Sequence, residues 1–377
     1  MLKEIPQFGA TLSEDQISFM QAFTKSCRHT IVSMLKNSQS GHPGGSLSSL
    51  DYLATLYAFI LSQTGEQIVV SHGHISPAVY SVLAELSYIP KEDVIESFRK
   101  FGSPYEGHVS RHVPGIFYGT GPLGVGVSAA ASFALAEKLK GTSRKAYALM
   151  GDGEMQEGQV YEMINFAAHH KLDNLVLFVD YNKVQLTDKL SEVQNINIPE
   201  IFKAGGFEVI ETDAHDFQDI WAALSKAHHS NKPVCILGHS IMGKGVPFME
   251  VDGAAYKSDW HGKPPKPEQA DDVLPELKPN EEEYATIQSI QQFIKWKPEA
   301  NHLPESLTKM EVDTGEPALY DNDNTTDCRS AYGKALADLA ERNPKVLALS
   351  ADLKGSNMTK FASEQAPAQH IECGIAE

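Results

Sequence analysis

Four apolar runs, KAYALM (145–150), LVLFVD (175–180), FEVIET (207–212) and VCILGH (234–239), recur through the middle of the chain with helical stretches between them, the clearest at 157–171. Runs this short and this continuously apolar predict strands buried on both faces. Their alternation with helices predicts βαβ units and a parallel sheet. IVVS at 68–71 reads as a further buried strand. Helical periodicity covers 14–36 and 47–62, where Leu50, Leu53, Ala54 and Tyr57 share one stripe; after a turn-rich section at 102–122, a small-residue helix is predicted from about 123 to 140.

Ligands of such sheets bind beyond the carboxyl ends of the strands. Gly151, Asp152 and Gly153 directly follow one predicted strand and Asn182 follows the next. If those strands are neighbours, as consecutive parallel strands often are, the two polar side chains meet at one edge. A carboxylate, an amide oxygen and a backbone carbonyl near Val184 are hard donors of the kind that suit Mg²⁺ or Ca²⁺. The set is incomplete, and Mg²⁺ fills its remaining positions with phosphate oxygens and water, so a bound diphosphate is expected. The competing reading makes Asp152 a helix cap and Asn182 a turn residue.

Glycines 119, 121, 124 and 126 open the predicted helix, allowing close backbone approach and turning N–H groups toward an anion. A glycine-rich start that merely packs tightly on the sheet explains the same residues. His42, His72, His74, His108 and His261 each sit in a Gly-, Pro- or Ser-rich turn, where imidazoles bind hydroxyls and move protons near neutral pH.

The formal charge of −17 argues against nucleic acid as a partner, and no apolar run approaches the ~20 residues that span a bilayer. The first residues lack the basic start and long apolar core of a signal peptide, so a cytoplasmic protein is expected. Cys27, Cys235, Cys328 and Cys373 form no CxxC pair, which fits a reduced compartment. The 377 residues are enough for two to three domains at about 150 residues each. A first α/β domain is expected over 1–250, a Pro- and charge-rich linker over 251–325, and the start of a second α/β domain over 326–377.

Taken together, GDGEMQEGQVYEMINFAAHHKLDNLVLFVDYN, SGHPGG, SHGHISPAVY, TGPLGVGVS, SADLKGSN and the terminal GIAE resemble transketolase segments in transketolase order, from about residue 25 to the end. The resemblance implies a thiamine diphosphate-binding fold and transfer of a two-carbon ketol unit from a ketose phosphate to an aldose phosphate. Asp152, Asn182 and the Val184 carbonyl would hold Mg²⁺ (or Ca²⁺) against the diphosphate. His74, Gly121, Pro122, Leu123 and Gly153 would line the cofactor site. His42, His108 and His261 would face the sugar, with Arg329 and Ser356 at its phosphate end. Glu377 would be the glutamate that hydrogen-bonds the aminopyrimidine, and Glu157 would couple to it across a dimer interface. His72 and Tyr181 depart from residues common in the family.

Related full-length enzymes continue beyond the glutamate at which this chain stops. The expected assembly is therefore a homodimer or a hetero-oligomer with a chain carrying the rest of the pyrimidine-binding and C-terminal domains. The alternatives are a truncated product or a non-catalytic thiamine diphosphate-binding subunit. The diphosphate-binding chain of a 2-oxo acid dehydrogenase shares the GDG…N pattern, but His-rich loops suit a polyhydroxylated sugar better than an apolar oxo acid.

Overall fold

Ser13 starts the helical part of the chain. Its hydroxyl accepts the Gln16 N–H while the Gln16 side chain accepts the Ser13 N–H, a capping box that opens the helix Glu14–Ser38. The computed structural model describes residues 1–298 and 311–374 and divides the chain into two units, Met1–Leu303 and Pro304–Glu377.

In the first unit the predicted strands form β1 (Gln67–Val70), β2 (Ala146–Gly151), β3 (Leu175–Tyr181), β4 (Glu208–Asp213) and β5 (Val234–His239). All pairs are parallel, in the order β1-β2-β3-β5-β4. Successive residues point to opposite faces; β1, β2, β3 and β5 are buried on both, while edge strand β4 leaves Glu211 and Asp213 exposed. Tyr147, Leu149, Val176, Phe178, Val234 and Ile236 enter the core that contains Phe19, Phe23, Ile31 and Leu35 of the first helix. Ala146, Ala148, Met150, Leu175, Leu177 and Val179 enter a second core with Val127, Ala130, Ala131 and Ala134 of the helix Val125–Leu139 and with Val160, Met163 and Ile164 of the helix Gly158–His169. The expected parallel sheet flanked by helices is therefore the fold observed. The predicted helix over 47–62 is broken instead into Pro43–Ser48, Leu50–Leu56 and a π-helical turn, Tyr57–Leu61.

The expected domain boundary at 250 and linker over 251–325 do not hold for residues 251–298. Helices Pro247–Ala254, Pro267–Leu277 and Glu281–Gln288 occupy this stretch, and Ala270, Val273, Leu277, Ile287 and Ile290 join the first core. Of the prolines that suggest an extended segment, Pro267 stands at a helix start, where a missing N–H costs nothing, and Pro275 lies inside the same helix. Lys25 on the first helix pairs with Glu283 at 2.9 Å, and the Tyr88 hydroxyl donates to the Trp296 carbonyl at 2.7 Å.

The second unit has a helix, Cys328–Arg342, capped by Asp327, then β6 (Ala348–Ser350), a helix, Lys360–Gln365, and β7 (His370–Glu372) parallel to β6. Ala337, Ala348 and Ala362 form its core with Leu336 and Phe361. Among the described residues no helix is long and apolar enough to cross a membrane.

Candidate functional site

β2 and β3 are paired with Gly151 opposite Asp180, so the residues that follow each strand emerge side by side. Asp152 Oδ2 accepts the Lys183 N–H at 2.6 Å, and Asn182 Oδ1 accepts the Val184 N–H at 2.9 Å. Lys183 has φ 64°, a left-handed conformation that folds the turn back toward Asp152. Asp152, Asn182 and Val184 are all buried and line one cavity of about 430 Å³. Burial and the neighbouring Asp180 push the Asp152 carboxyl up to about 8, against backbone hydrogen bonds that favour the charged form.

Asp180 and Glu154 complete an acidic floor. Asp180 accepts from Ser48 Oγ at 2.5 Å, from Ser240 Oγ and from Asn182 Nδ2 at 3.0 Å. Glu154 accepts from Ser71 Oγ at 2.6 Å, from the Gly124 N–H at 2.7 Å and from the Gly151 N–H at 3.0 Å. The donor expected to face an anion at the glycine-rich helix start is thus taken by a carboxylate of the chain itself. Close packing explains part of that motif too: a β-carbon on Gly126 would lie 2.6 Å from Ser71 Cα. Gly121 differs. It lines the cavity, and a β-carbon there would meet nothing within 4 Å.

Among the described residues no group of three or more His, Cys, Asp or Glu side chains is arranged to hold a metal ion. The oxygens at this edge are instead those of the Asp152 carboxyl and the Asn182 amide, with Val184 beside them in the cavity lining. That set, with no cationic side chain among the described residues paired to Asp152, fits a hard divalent cation of the kind that takes its remaining ligands from phosphate oxygens and water.

Above the floor the loops bring four histidines together. The His42 ring lies 5.0 Å from that of His74, 6.2 Å from His261 and 6.4 Å from His108, and His74 lies 5.7 Å from His261. Gly44, in the first turn of Pro43–Ser48, donates its N–H to the Trp260 carbonyl at 2.9 Å, which sets His261 beside His42. Tyr80 donates to the carbonyls of Glu106 and His108 and so anchors the His108 loop. Burial and, next, the Arg99 charge lower His42 to about 4; burial lowers His74 well below the usual imidazole range, and His108 and His261 are lowered as well. All four rings are neutral at pH 7. His42 Nδ1 is buried and has no hydrogen-bond partner among the described residues, an unmet donor or acceptor in a cavity wall. His72 is spoken for: its Nδ1–H donates to the Leu149 carbonyl, and Nε2 accepts from Ser49 Oγ, both at 3.1 Å.

Of the other expected site residues, Leu123, Gly153 and Glu157 line the cavity; Pro122, between Gly121 and Leu123, does not. Arg329 and Ser356 belong to the second unit, where Arg329 Nη1 donates to the Ser356 carbonyl at 3.4 Å. Glu377 lies outside the described residues. Glu154, Asp180, Gln185 and Leu186 line the cavity without having been expected there. For Glu154 the signal lay next to the GDG turn, and for Asp180 in a lone acid ending an otherwise apolar strand.

This sheet edge belongs to a parallel α/β domain with a polar cavity beyond the carboxyl ends of two neighbouring strands. Residues 20–310 match the family model "Transketolase, thiamine diphosphate binding domain", and residues 324–377 match "Transketolase, pyrimidine binding domain". The chain belongs to the transketolase family. It is 29% identical over 348 residues to transketolase from Mus musculus, covering 90% of this chain and 53% of that one. It is 33% identical over 272 residues to an apulose-4-phosphate transketolase subunit from Phocaeicola vulgatus, covering 70% and 95% respectively. Among solved structures, transketolase from Campylobacter jejuni matches with a TM-score of 0.81 at 29% identity, over 95% of this chain and 61% of that one. The chain spans about half the length of the mammalian transketolases it matches.

Proposed function

We propose that the cavity binds thiamine diphosphate through a divalent cation, and that the protein takes part in moving a two-carbon ketol unit from a ketose phosphate to an aldose phosphate. The observation that carries this reading is the meeting, around one cavity, of the Asp152–Asn182–Val184 oxygen donors with His42, His74, His108 and His261. Asp152, Asn182 and the Val184 carbonyl are the residues that would hold Mg²⁺, or Ca²⁺ in its place. Gly121 leaves open space for the cofactor, with His74, Leu123 and Gly153 around it. When bound, thiamine diphosphate supplies the electron sink for breaking the carbon–carbon bond beside a ketose carbonyl.

The chain's own part is to bind and orient. Neutral His42, His108 and His261 offer both donors and acceptors to sugar hydroxyls and to the carbonyl oxygen, and an unpartnered His42 Nδ1 is free to hold or pass a proton there. Arg329 and Ser356 are assigned to the substrate phosphate, Glu377 to the cofactor's pyrimidine nitrogen, and Glu157 to coupling with that glutamate across a dimer. The Phocaeicola vulgatus relative is one subunit of its transketolase, and this chain covers 95% of it, which favours a hetero-oligomeric assembly.

Titration with thiamine diphosphate, with and without Mg²⁺, tests the binding step, and Asp152→Ala is expected to abolish it. Ketol transfer from xylulose 5-phosphate to ribose 5-phosphate, by the chain alone and with candidate partner chains, tests the reaction. Cofactor binding that ignores both Mg²⁺ and Asp152 would overturn the site assignment.

A further inference from the structure

Two loops reach the histidine cavity from different parts of the chain, and a single side chain is tied to both. Arg99 Nη1 donates to Ser40 Oγ at 2.7 Å, two residues ahead of His42. Its Nη2 donates to the Gly107 carbonyl at 3.4 Å, immediately ahead of His108. We propose that Arg99 is a positioning residue that sets the spacing of His42 and His108 across the cavity. Its effect on substrate rests on the sugar-phosphate reading of the site; its effect on the two rings rests on geometry alone.

The surroundings of Arg99 are built to hold it in place. A β-carbon on Gly107 would lie 2.4 Å from Arg99 Nε and 2.5 Å from Nη2, so the guanidinium fills the space that only glycine leaves. Arg99 itself has φ 58°, a conformation unfavourable to a residue with a side chain, and its N–H donates to the Tyr105 carbonyl at 2.9 Å to close the turn before the His108 loop. The guanidinium also sits 5.8 Å from the Phe98 ring centroid. It does not line the cavity, so it acts through the two histidines rather than on a ligand.

Among the described residues no carboxylate is ion-paired with Arg99, and burial lowers the guanidinium from its ordinary value. Its cation is therefore felt by the imidazoles, and after burial it is the next cause that keeps His42 and His108 neutral. The other groups facing His42 are His261 and His108, with the His74 ring 5.0 Å away. A planar fork is needed for this double attachment. A lysine ammonium carries the charge but is a point donor on a flexible stem.

The test uses ¹⁵N-histidine NMR of the full chain together with its Kd for xylulose 5-phosphate. Arg99→Met is expected to shift both the His42 and His108 ring signals and to raise both titration midpoints. Arg99→Lys and Gly107→Ala keep a cation but break the double attachment. Each is expected to move both ring signals and to weaken xylulose 5-phosphate binding by about tenfold. The proposal is overturned if Arg99→Lys and Gly107→Ala leave both rings as in the parent chain, or if Arg99→Met perturbs only one of them. If the parent chain itself fails to bind xylulose 5-phosphate, the sugar reading falls while the ring signals still decide the role of Arg99.

Discussion

The Asn182 amide is held at both ends: Nδ2 donates to the Asp180 carboxylate at 3.0 Å, and Oδ1 accepts the Val184 N–H at 2.9 Å. The acceptor at one end fixes which way the amide faces, and so presents its oxygen on the side of the Val184 turn. Asp180 is itself held by Ser48 and Ser240, side chains from the helix Pro43–Ser48 and from the end of β5.

Asp180→Ala should release that amide and leave Ser48 and Ser240 without their shared acceptor. Mg²⁺-dependent cofactor affinity is expected to fall about 10–100-fold, the range found when groups that orient metal ligands are removed. Isothermal titration at fixed thiamine diphosphate measures it, and unchanged affinity would show that Asn182 orients itself.

Two glycines of one motif should behave oppositely. Gly126→Ala forces a β-carbon into the backbone at Ser71 and should cost about 1–3 kcal/mol in urea denaturation. Gly121→Ala meets nothing in the protein, so stability should stay within about 0.5 kcal/mol while cofactor binding weakens, because the methyl would occupy ligand space.

Asp51 is buried against Arg28, at 2.7 Å, and His215, at 3.0 Å. Asp51→Ala strands a guanidinium that is nearly as buried, and should destabilise the first unit by about 3–5 kcal/mol. Glu200→Ala, which breaks an exposed pair with Lys203, should cost less than about 1 kcal/mol. Chemical denaturation of the two variants side by side checks the contrast.

Acid should unfold the parent chain more readily than a His42→Asn variant. An unfolded imidazole titrates at about 6.5. The folded His42 titrates at about 4, so between those values the unfolded chain binds the extra proton and stability falls as pH falls. Above about pH 6.5 that contribution is fully present. The Asp152 carboxyl, shifted upward, acts in the opposite sense, so the informative quantity is the difference between parent and variant. Urea midpoints measured at about pH 7.5 and about pH 5 should differ less in the variant than in the parent; parallel profiles would refute the assignment.

The Asp152–Asn182 edge was legible because β2 and β3 are consecutive in both sequence and space. Asp180 was not, since its partner Ser240 follows β5, and nothing local says that β5 rather than β4 lies beside β3. Glu154 escaped notice for a related reason: two of its three donors, Ser71 and Gly124, come from distant segments. The helices over 267–288 were hidden by composition. Pro267 and the Asn280 capping box are start signals, and they sit among residues that otherwise read as a charged linker.

The placement of β5 between β3 and β4 has a consequence for the protein while it is being made. When β4 leaves the ribosome it has no neighbour to pair with, and the outer side of β3 is likewise bare. Both await a strand that arrives seconds later, at a synthesis rate of ~5–20 residues per second. Until residue 239 emerges, the outer edge of β3 and the whole of β4 have unsatisfied backbone groups that face solvent or a chaperone, which leaves the nascent chain open to misassembly in that interval.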